Sequence, residues 1–554
     1  MHRFTRFCPF SIPQISPCYK RYSSHIRRES KIIVLEDSKY EKVVSTFESL
    51  NYDKMQDELT KEEEIKFGVA INLALIIQRN NAICFVAIFV ALCVTIINIA
   101  EHKYLDFKIS FLLTQFKYYF ATPQWRLLFP LIPMWILFTT VPAILSSLFF
   151  VIAEPDSSTA GLPEITGFLN GIQFPRPVSF KLLIYKIIST IFMLMAGIVT
   201  DKEGAIMHIG VILGVLISMM RIPFKNVRCF KLLQNDRERR DMASMGFAAG
   251  VCAAFIAPVG GVVLALEEGI SYGTKALTTN ILFSSVITSF TSATIKLILI
   301  RQCVGCILEK DLLFLTDIEN PDIFMKYQFF EIPFFILIGI IGGLMGSAWN
   351  CLEVQISYWR QKYIKKNRLK ILEVVVVSSV TAMISLIILF SVTECNRGGL
   401  RERTFVRRIK WHCAKGQLPT VVLFFFQNDV SLMNTLICDE RLMGVKPLLV
   451  LLVYYFILSA IYMGTAITGG VFVPNIITGA IWGRLLAELL LELVPQTDAW
   501  CRPQMYAFLA AGAHVGGTTR ICLSIGIILL ESSGEIAFGL PVLSLLPLNL
   551  LLIC

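Results

Sequence analysis

The sequence predicts an all-α polytopic membrane protein in which several helices are broken at membrane depth. Of 554 residues, 55% are hydrophobic and only 17% charged, with a mean hydropathy of +0.64. A soluble chain would carry about a quarter charged residues. Apolar runs near or above the ~18–20 residues that cross a bilayer recur along the chain, clearest at 82–100, 127–153, 182–200, 279–300, 329–351, 371–393 and 447–463. Between and after them lie shorter or glycine-interrupted stretches at 206–220, 243–266, 467–489, 503–515, 520–531 and 536–554. A large soluble enzyme is excluded.

Taken in order, residues 1–79 form a separate polar region and 80–554 the membrane domain. Residues 1–28 hold Arg3, Arg6, Lys20, Arg21, Arg27 and Arg28 and no acid, which superficially suits an organellar transit peptide. Pro9, Pro13 and Pro17 oppose the amphipathic helix such a peptide needs, so a basic, disordered cytosolic arm is expected. Residues 36–65 are acidic and lead into the first helix on the same side. No cleavable secretory signal is visible.

The net charge of +10 reads as topology and not as nucleic-acid binding. Arg221, Lys225, Arg228, Lys231, Arg237, Arg239 and Arg240 gather in one loop, and Arg360, Lys362, Lys365, Lys366, Arg368 and Lys370 in another. The positive-inside rule puts both in the cytosol. Helices at 279–300 and 329–351 cross between them, and 243–266 dips in and returns. The loop at 394–446 then lies on the opposite face, although Arg401–Lys410 is also basic. Long loops escape the rule more easily.

Many of the fifteen cysteines, such as Cys84, Cys93, Cys252 and Cys522, sit in apolar runs as small hydrophobes. Cys303 and Cys306 form one C-x-x-C without the second pair a zinc site wants, so no metal or other cofactor is expected. Cys395, Cys413 and Cys438 fall in the 394–446 loop, where a disulfide can form.

Three strings carry the functional reading. They are Ala160-Gly161-Leu162-Pro163-Glu164, Lys202-Glu203-Gly204-Ala205 and Gly469-Gly470-Val471-Phe472-Val473-Pro474. Each puts glycine and a break where a chain in the bilayer normally stays regular. Such backbone is tolerated only when buried in protein or lining a cavity. Breaks in both halves of the chain suit half-helix termini converging on a solute. After Lys202-Glu203-Gly204 hydrophobicity resumes at Ile206, so a helix N-terminus with free N–H groups lies there, a natural anion site. The Glu203 carboxylate can fill that site itself, and protonation would free it. A helix-capping acid at a membrane surface is the plainer reading of the same residue, and three unrelated re-entrant turns the plainer reading of the strings.

These strings resemble the CLC family of chloride channels and proton-coupled chloride exchangers, whose anion-site signatures G-S-G-I-P, G-K-E-G-P and G-x-F-x-P align with Thr159–Pro163, Asp201–Ala205 and Gly470–Pro474. Further matches are Phe168–Gly171, Ala257–Gly261, Leu266–Gly269 and Gly516–Arg520, so the resemblance runs from about residue 46 to 541. Glu48–Asp53 and Glu531–Ile536 place it nearest the endosomal–lysosomal branch.

The resemblance implies a homodimer, each subunit carrying its own pore between two inverted repeats, with dimer contacts from parts of 243–300 and 520–554. It implies that Glu203 gates and that Glu268 relays protons from the cytosolic side, where channels of the family carry an apolar residue. The plainer reading is that Glu267 and Glu268 end a helix at the interface. Ala160, Gly161, Leu162, Pro163, Lys202, Gly204, Gly470, Val471, Phe472 and Val473 would line the anion path, with the Phe472 amide on the central anion. The implied partners are chloride, protons, the bilayer, a second copy and an accessory membrane subunit. The implied location is a lysosomal or endosomal membrane, or the plasma membrane.

Three departures stand against the family pattern. Ala160 removes a serine hydroxyl, leaving chloride against nitrate undecided. Asp201 and Ala205 replace glycine and proline, and the added acid should repel anions from the mouth. The sequence ends at Cys554, within what the pattern makes the penultimate helix. The last helix with its tyrosine and the paired CBS domains are thus expected to be missing, by real loss, shortened gene model or splice form. The expectation is a chloride/proton antiporter. The rivals are a proton-independent channel and a non-conducting paralogue that acts only in assembly.

Overall fold

The computed structural model describes residues 69–121, 125–153, 161–172, 178–222, 227–228, 230, 233–271, 273–300, 329–392, 394–397, 417–438, 443–493, 501–533, 539 and 541–542. The expectations for residues 1–68, Ala160, Cys303, Cys306, Cys413 and Arg401–Lys410 lie outside the described residues.

Sixteen α-helices run through the described residues, with two short antiparallel strand pairs as the exception to an all-helical fold. The first half has α1 (Val69–Ala121), α2 (Trp125–Ala153), α3 (Leu162–Leu169), α4 (Phe180–Ala196), α5 (Glu203–Ser218), α6 (Asp236–Phe255), α7 (Pro258–Leu264) and α8 (Lys275–Ile300). The second has α9 (Ile332–Tyr363), α10 (Asn367–Ser391), α11 (Thr420–Phe425), α12 (Asp429–Cys438), α13 (Val445–Tyr462), α14 (Phe472–Leu493), α15 (Pro503–Thr519) and α16 (Leu523–Ser533). Strands β1 (Arg221–Ile222) and β2 (Val227–Arg228) pair with each other, as do β3 (Cys395–Arg397) and β4 (Gln417–Pro419).

Five helices are long and apolar enough to cross a membrane, at Leu73–Leu112, Pro130–Ile152, Ile332–Tyr363, Asn367–Ser391 and Val445–Tyr462. Half or more of each is left unburied, and large apolar side chains such as Phe85, Phe89, Leu137, Leu344 and Ile387 face outward. A helix that is apolar all round belongs in lipid. The protein is therefore a multi-pass membrane protein.

The helix limits follow local chemistry. The apolar run at 82–100 becomes the 53-residue α1 because no glycine or proline occurs between Gly68 and Pro123. Conversely, the run at 182–200 stops as α4 at Ala196. Gly197 takes φ 62°, the left-handed conformation that ends helices. α2 contains Pro130, Pro133 and Pro142, which a membrane helix tolerates when neighbours satisfy the freed carbonyls.

The inner helices are short. α5 has 16 residues, about 24 Å at the usual rise, less than the ~30 Å hydrocarbon core. Glu203 through Val215 are all buried, so it begins inside the protein. It crosses α6 through glycines. A Cβ on Gly210 would overlap the Gly246 carbonyl, and one on Gly246 the Gly210 carbonyl, with Gly214 and Gly250 repeating the contact a turn away. The same device recurs in the second half. Gly479 and Gly483 of α14 lie against Tyr506, Ala510 and Ala511 of α15, and Gly342 and Gly346 of α9 lie against Ala513 and Gly517. Small residues four apart let backbones touch, which is how membrane helices associate without a hydrophobic driving force.

Polar side chains tie the halves together. The Ser146 hydroxyl donates to the Ser189 carbonyl at 2.8 Å, and the Ser189 and Thr468 hydroxyls are 2.9 Å apart, joining α2, α4 and the loop before α14. Arg360 is more than a loop charge. It is buried, 2.5 Å from Glu373 Oε1, and donates to the Ile461 and Met463 carbonyls, so it fixes α9, α10 and the end of α13. α7 and α16 exchange caps. Glu531, in α16, accepts from the Val259 and Gly260 amides at 3.1 and 2.8 Å. Glu267, beyond α7, accepts from the Cys522, Leu523 and Ser524 amides at 3.2, 3.3 and 2.8 Å.

Candidate functional site

Two of the three strings meet at the start of α5, and the third lies against the side of that helix. Asp201 and Gly470 form a two-way backbone bridge, with the Asp201 amide donating to the Gly470 carbonyl at 3.4 Å and the Gly470 amide to the Asp201 carbonyl at 3.1 Å. The chain then enters α5 at Glu203 on one side and α14 at Phe472 on the other, so two helix N-termini start from one joint. Gly470 must be glycine here, since a Cβ would overlap the Asp201 carboxylate. Gly161 at the head of α3 takes φ 101°, and a Cβ there would overlap the ring of His208, five residues into α5. Gly161 and Phe472 thus head elements that each touch α5, the helix that Glu203 begins.

Glu203 is only 4% exposed, and its Oε2 has no hydrogen-bond partner among the described residues. An unsatisfied carboxylate oxygen at a buried helix N-terminus is costly and marks a place for a proton or for displacement by another anion. Gly204 is buried behind it. The Phe472 ring stands edge-on to Phe255 at the end of α6, centroids 6.4 Å apart. Val473 and Pro474 are buried, Val471 and Leu162 half-buried, and Pro163 exposed.

Lys202 points elsewhere. Its Nζ is 2.8 Å from Glu101 Oε2 and 2.7 Å from Asn98 Oδ1, both on α1. Beside that pair a cavity of about 80 Å³ reaches Thr200, one residue before the joint. Glu101, Lys108, Trp135, Asn428 and Asp429 are on its wall. Lys108 Nζ lies 5.9 Å over the Trp135 ring, in cation–π range. A polar chamber with both signs of charge therefore abuts the start of α5.

Glu268 is distant in role as well as sequence. It is exposed, in the π-helical turn Ala265–Gly269 that follows α7, and has no hydrogen-bond partner among the described residues. Its neighbour Glu267 is the cap of α16 described above. π-turns inside helices concentrate at functional positions.

Known proteins resemble this chain in sequence and in fold. The sequence profile described as Voltage gated chloride channel covers residues 142–546. The chain belongs to the voltage-gated chloride channel family. Relatives include H(+)/Cl(-) exchange transporter 7 of Bos taurus and of Homo sapiens, each 30% identical over 521 residues. Each alignment covers 91% of this chain and 62% of the relative. Chloride channel protein CLC-d of Arabidopsis thaliana is 28% identical over 535 residues, 91% of this chain and 63% of that one. The chain thus spans a little under two thirds of the length of these relatives. Among solved structures, a eukaryotic CLC transporter superposes with a TM-score of 0.62 at 19% identity, over 87% of this chain and 72% of its own. A slow cyanobacterial Cl-/H+ antiporter gives 0.64 at 18%, over 86% and 94%. These superpositions establish the voltage-gated chloride channel fold.

Within that family frame, sequence reasoning missed three polar contacts. The Lys186 Nζ lies 2.5 Å from His208 Nδ1, a buried pair beside Gly161. No string flags it, because each residue is isolated in an apolar run. The second is the Glu101 partner of Lys202, 101 residues away. The third is the contact Asp201 makes with α14, treated below. The glycine crossings were missed as well, although their spacing could have signalled them, with Gly210/Gly214, Gly246/Gly250 and Gly479/Gly483 each four apart.

Proposed function

We propose that this chain is a chloride/proton antiporter of an intracellular membrane. Anions pass the joint between α5 and α14, Glu203 acts as gate and proton carrier, and Glu268 delivers protons from the cytosolic side. The observation that carries the reading is the buried Glu203 carboxylate with an unsatisfied oxygen, at a helix start joined through Asp201 and Gly470 to a second helix start. The first amides of two helices favour an anion there, and a carboxylate that alternates between ionised and protonated can exchange with it. Gly161, Leu162, Pro163, Gly204, Gly470, Val471, Phe472 and Val473 supply backbone to the path. Ala160 belongs to the same string. Lys202 acts from α1's side through Glu101.

The relatives named as H(+)/Cl(-) exchange transporters support the exchange reading and a lysosomal or endosomal membrane. A homodimer is expected, with the outward apolar side chains Leu282, Phe283, Val286 and Phe290 of α8 and Leu523 of α16 at the contact. An accessory membrane subunit is a further partner.

Purified protein in chloride-loaded liposomes tests the function. Chloride efflux accompanied by proton uptake is expected. Glu203→Ala should keep chloride flux and abolish proton movement, and Glu268→Ala should abolish proton flux alone. Unchanged stoichiometry in Glu268→Ala refutes the relay. Chloride flux without any proton movement in the unmodified protein makes it a channel, and no flux above empty vesicles makes it a non-conducting assembly partner.

A further inference from the structure

The Asp201 carboxylate is fully buried, with 0% exposure. Its Oδ2 accepts from the Val473 amide at 3.0 Å, and the Gly204, Phe472 and Gly470 amides also face the carboxylate, while Oδ1 has no close hydrogen-bond partner among the described residues. Val473 is the second residue of α14, so its N–H is one of the helix's first donors with no partner inside the helix. The carboxylate therefore lies on the positive end of α14, flat against Gly470, the one residue type whose lack of a Cβ leaves room for it. The lysine beside it in sequence gives it no cation, since Lys202 Nζ sits on Glu101 and Asn98. Two tethered acids thus stand at the joint, Glu203 heading α5 and Asp201 against α14.

We propose that Asp201 is a resident anion that occupies the Val473 amide and competes with the transported anion for the start of α14. It acts as an affinity-setting residue and is distinct from the Glu203 gate. Glu203 heads its own helix, and its backbone takes no part in the bridge to Gly470. Asp201, by contrast, is pinned by the two-way bridge of its backbone to Gly470. Its carboxylate cannot leave the joint without breaking that bridge or rotating its side chain away from α14. A charge-assisted bond to a backbone amide is among the stronger hydrogen bonds, so chloride must displace it or bind without that donor. This chain should therefore bind chloride weakly for a reason built into its own sequence. The inference rests on the anion path proposed above.

Isothermal titration of detergent-purified full chain with sodium chloride, against sodium isethionate as control, tests it. Asp201→Gly, which frees the amide, should tighten chloride binding by roughly tenfold or more. Asp201→Asn, which keeps the shape and removes the charge, should tighten it by a smaller factor. The Asn variant also covers the case in which the Gly variant does not elute as a monodisperse peak. Equal chloride affinity in unmodified protein and both folded variants overturns the role of Asp201 and leaves the anion path standing. Absence of chloride binding in all three, and in Glu203→Ala, overturns the path and the inference together.

Discussion

Lys202 shows how far a side chain's neighbours can lie from its motif. In the sequence it flanks Glu203 and suggests a cation for the anion path, yet its ammonium is held by Glu101 and Asn98 on α1. Side-chain exposures of 11% and 9% make this a largely buried ion pair. Removing one partner of such a pair leaves the other charge stranded and costs about 3–5 kcal/mol. Lys202→Met should therefore lower the thermal midpoint of the detergent-solubilised protein strongly, and the double variant Lys202→Met/Glu101→Met should recover much of the loss. A midpoint unchanged in the single variant would mean the pair carries no stability. Gly161 tests the joint from the other side. With φ 101° and the His208 ring against it, Gly161→Ala is both strained and obstructed, and liposome chloride flux should fall sharply. Flux at the unmodified level would show that α3 does not shape the path.

At the scale of elements, the sequence was most legible where physics is local. Glycine at 161 and 470 marked the starts of α3 at Leu162 and α14 at Phe472, whereas α5 begins at Glu203, three residues before the return of hydrophobicity at Ile206, with Gly204 inside the helix. The long spans were legible from hydrophobic length. What was not legible depends on partners far along the chain. Whether Glu267 or Glu268 ends up as a cap cannot be read from two adjacent acids, because the amides that Glu267 binds are contributed by residues 522–524. The Asp201 contact with Val473 spans 272 residues, and no local pattern announces it. The length of α1 was underestimated for a different reason: hydropathy falls after residue 100, but nothing there breaks a helix. The glycine crossing makes a direct prediction. Gly246→Leu drives a side chain into the Gly210 carbonyl, so α5 and α6 must separate and the helix that starts at Glu203 must move. Loss of monodisperse protein on size exclusion is expected, whereas Ala248→Gly on the same helix should be tolerated. Retention of the folded peak by Gly246→Leu would show that the crossing is loose.

For the whole molecule, the two halves are built on one plan, a helix that starts buried and is crossed by a second helix through small residues, α5 with α6 and α14 with α15. The halves touch at the Asp201–Gly470 bridge, so the proposed path lies where neither half is complete alone. The outward face of α8, with Leu282, Phe283, Val286 and Phe290, is a broad apolar strip. In the dimer reading it meets a second copy, and closed two-fold contact makes one substitution count twice. Val286→Trp should shift the purified protein from dimer to monomer in native mass spectrometry in mild detergent, with the fold kept. A dimer mass unchanged by that variant would place this face against lipid.

The exchanged caps of α7 and α16 bear on how the protein is made. Glu267 finds its amides only after residues 522–524 have been synthesised, 255 or more positions later. Until then the turn that carries Glu268 lacks its anchor, and α7 lacks the carboxylate of Glu531 over its first amides. A nascent chain halted before that point would hold the early membrane segments without the fastening that sets the proposed proton port, so that port is among the last parts of the molecule to take its final place during biosynthesis.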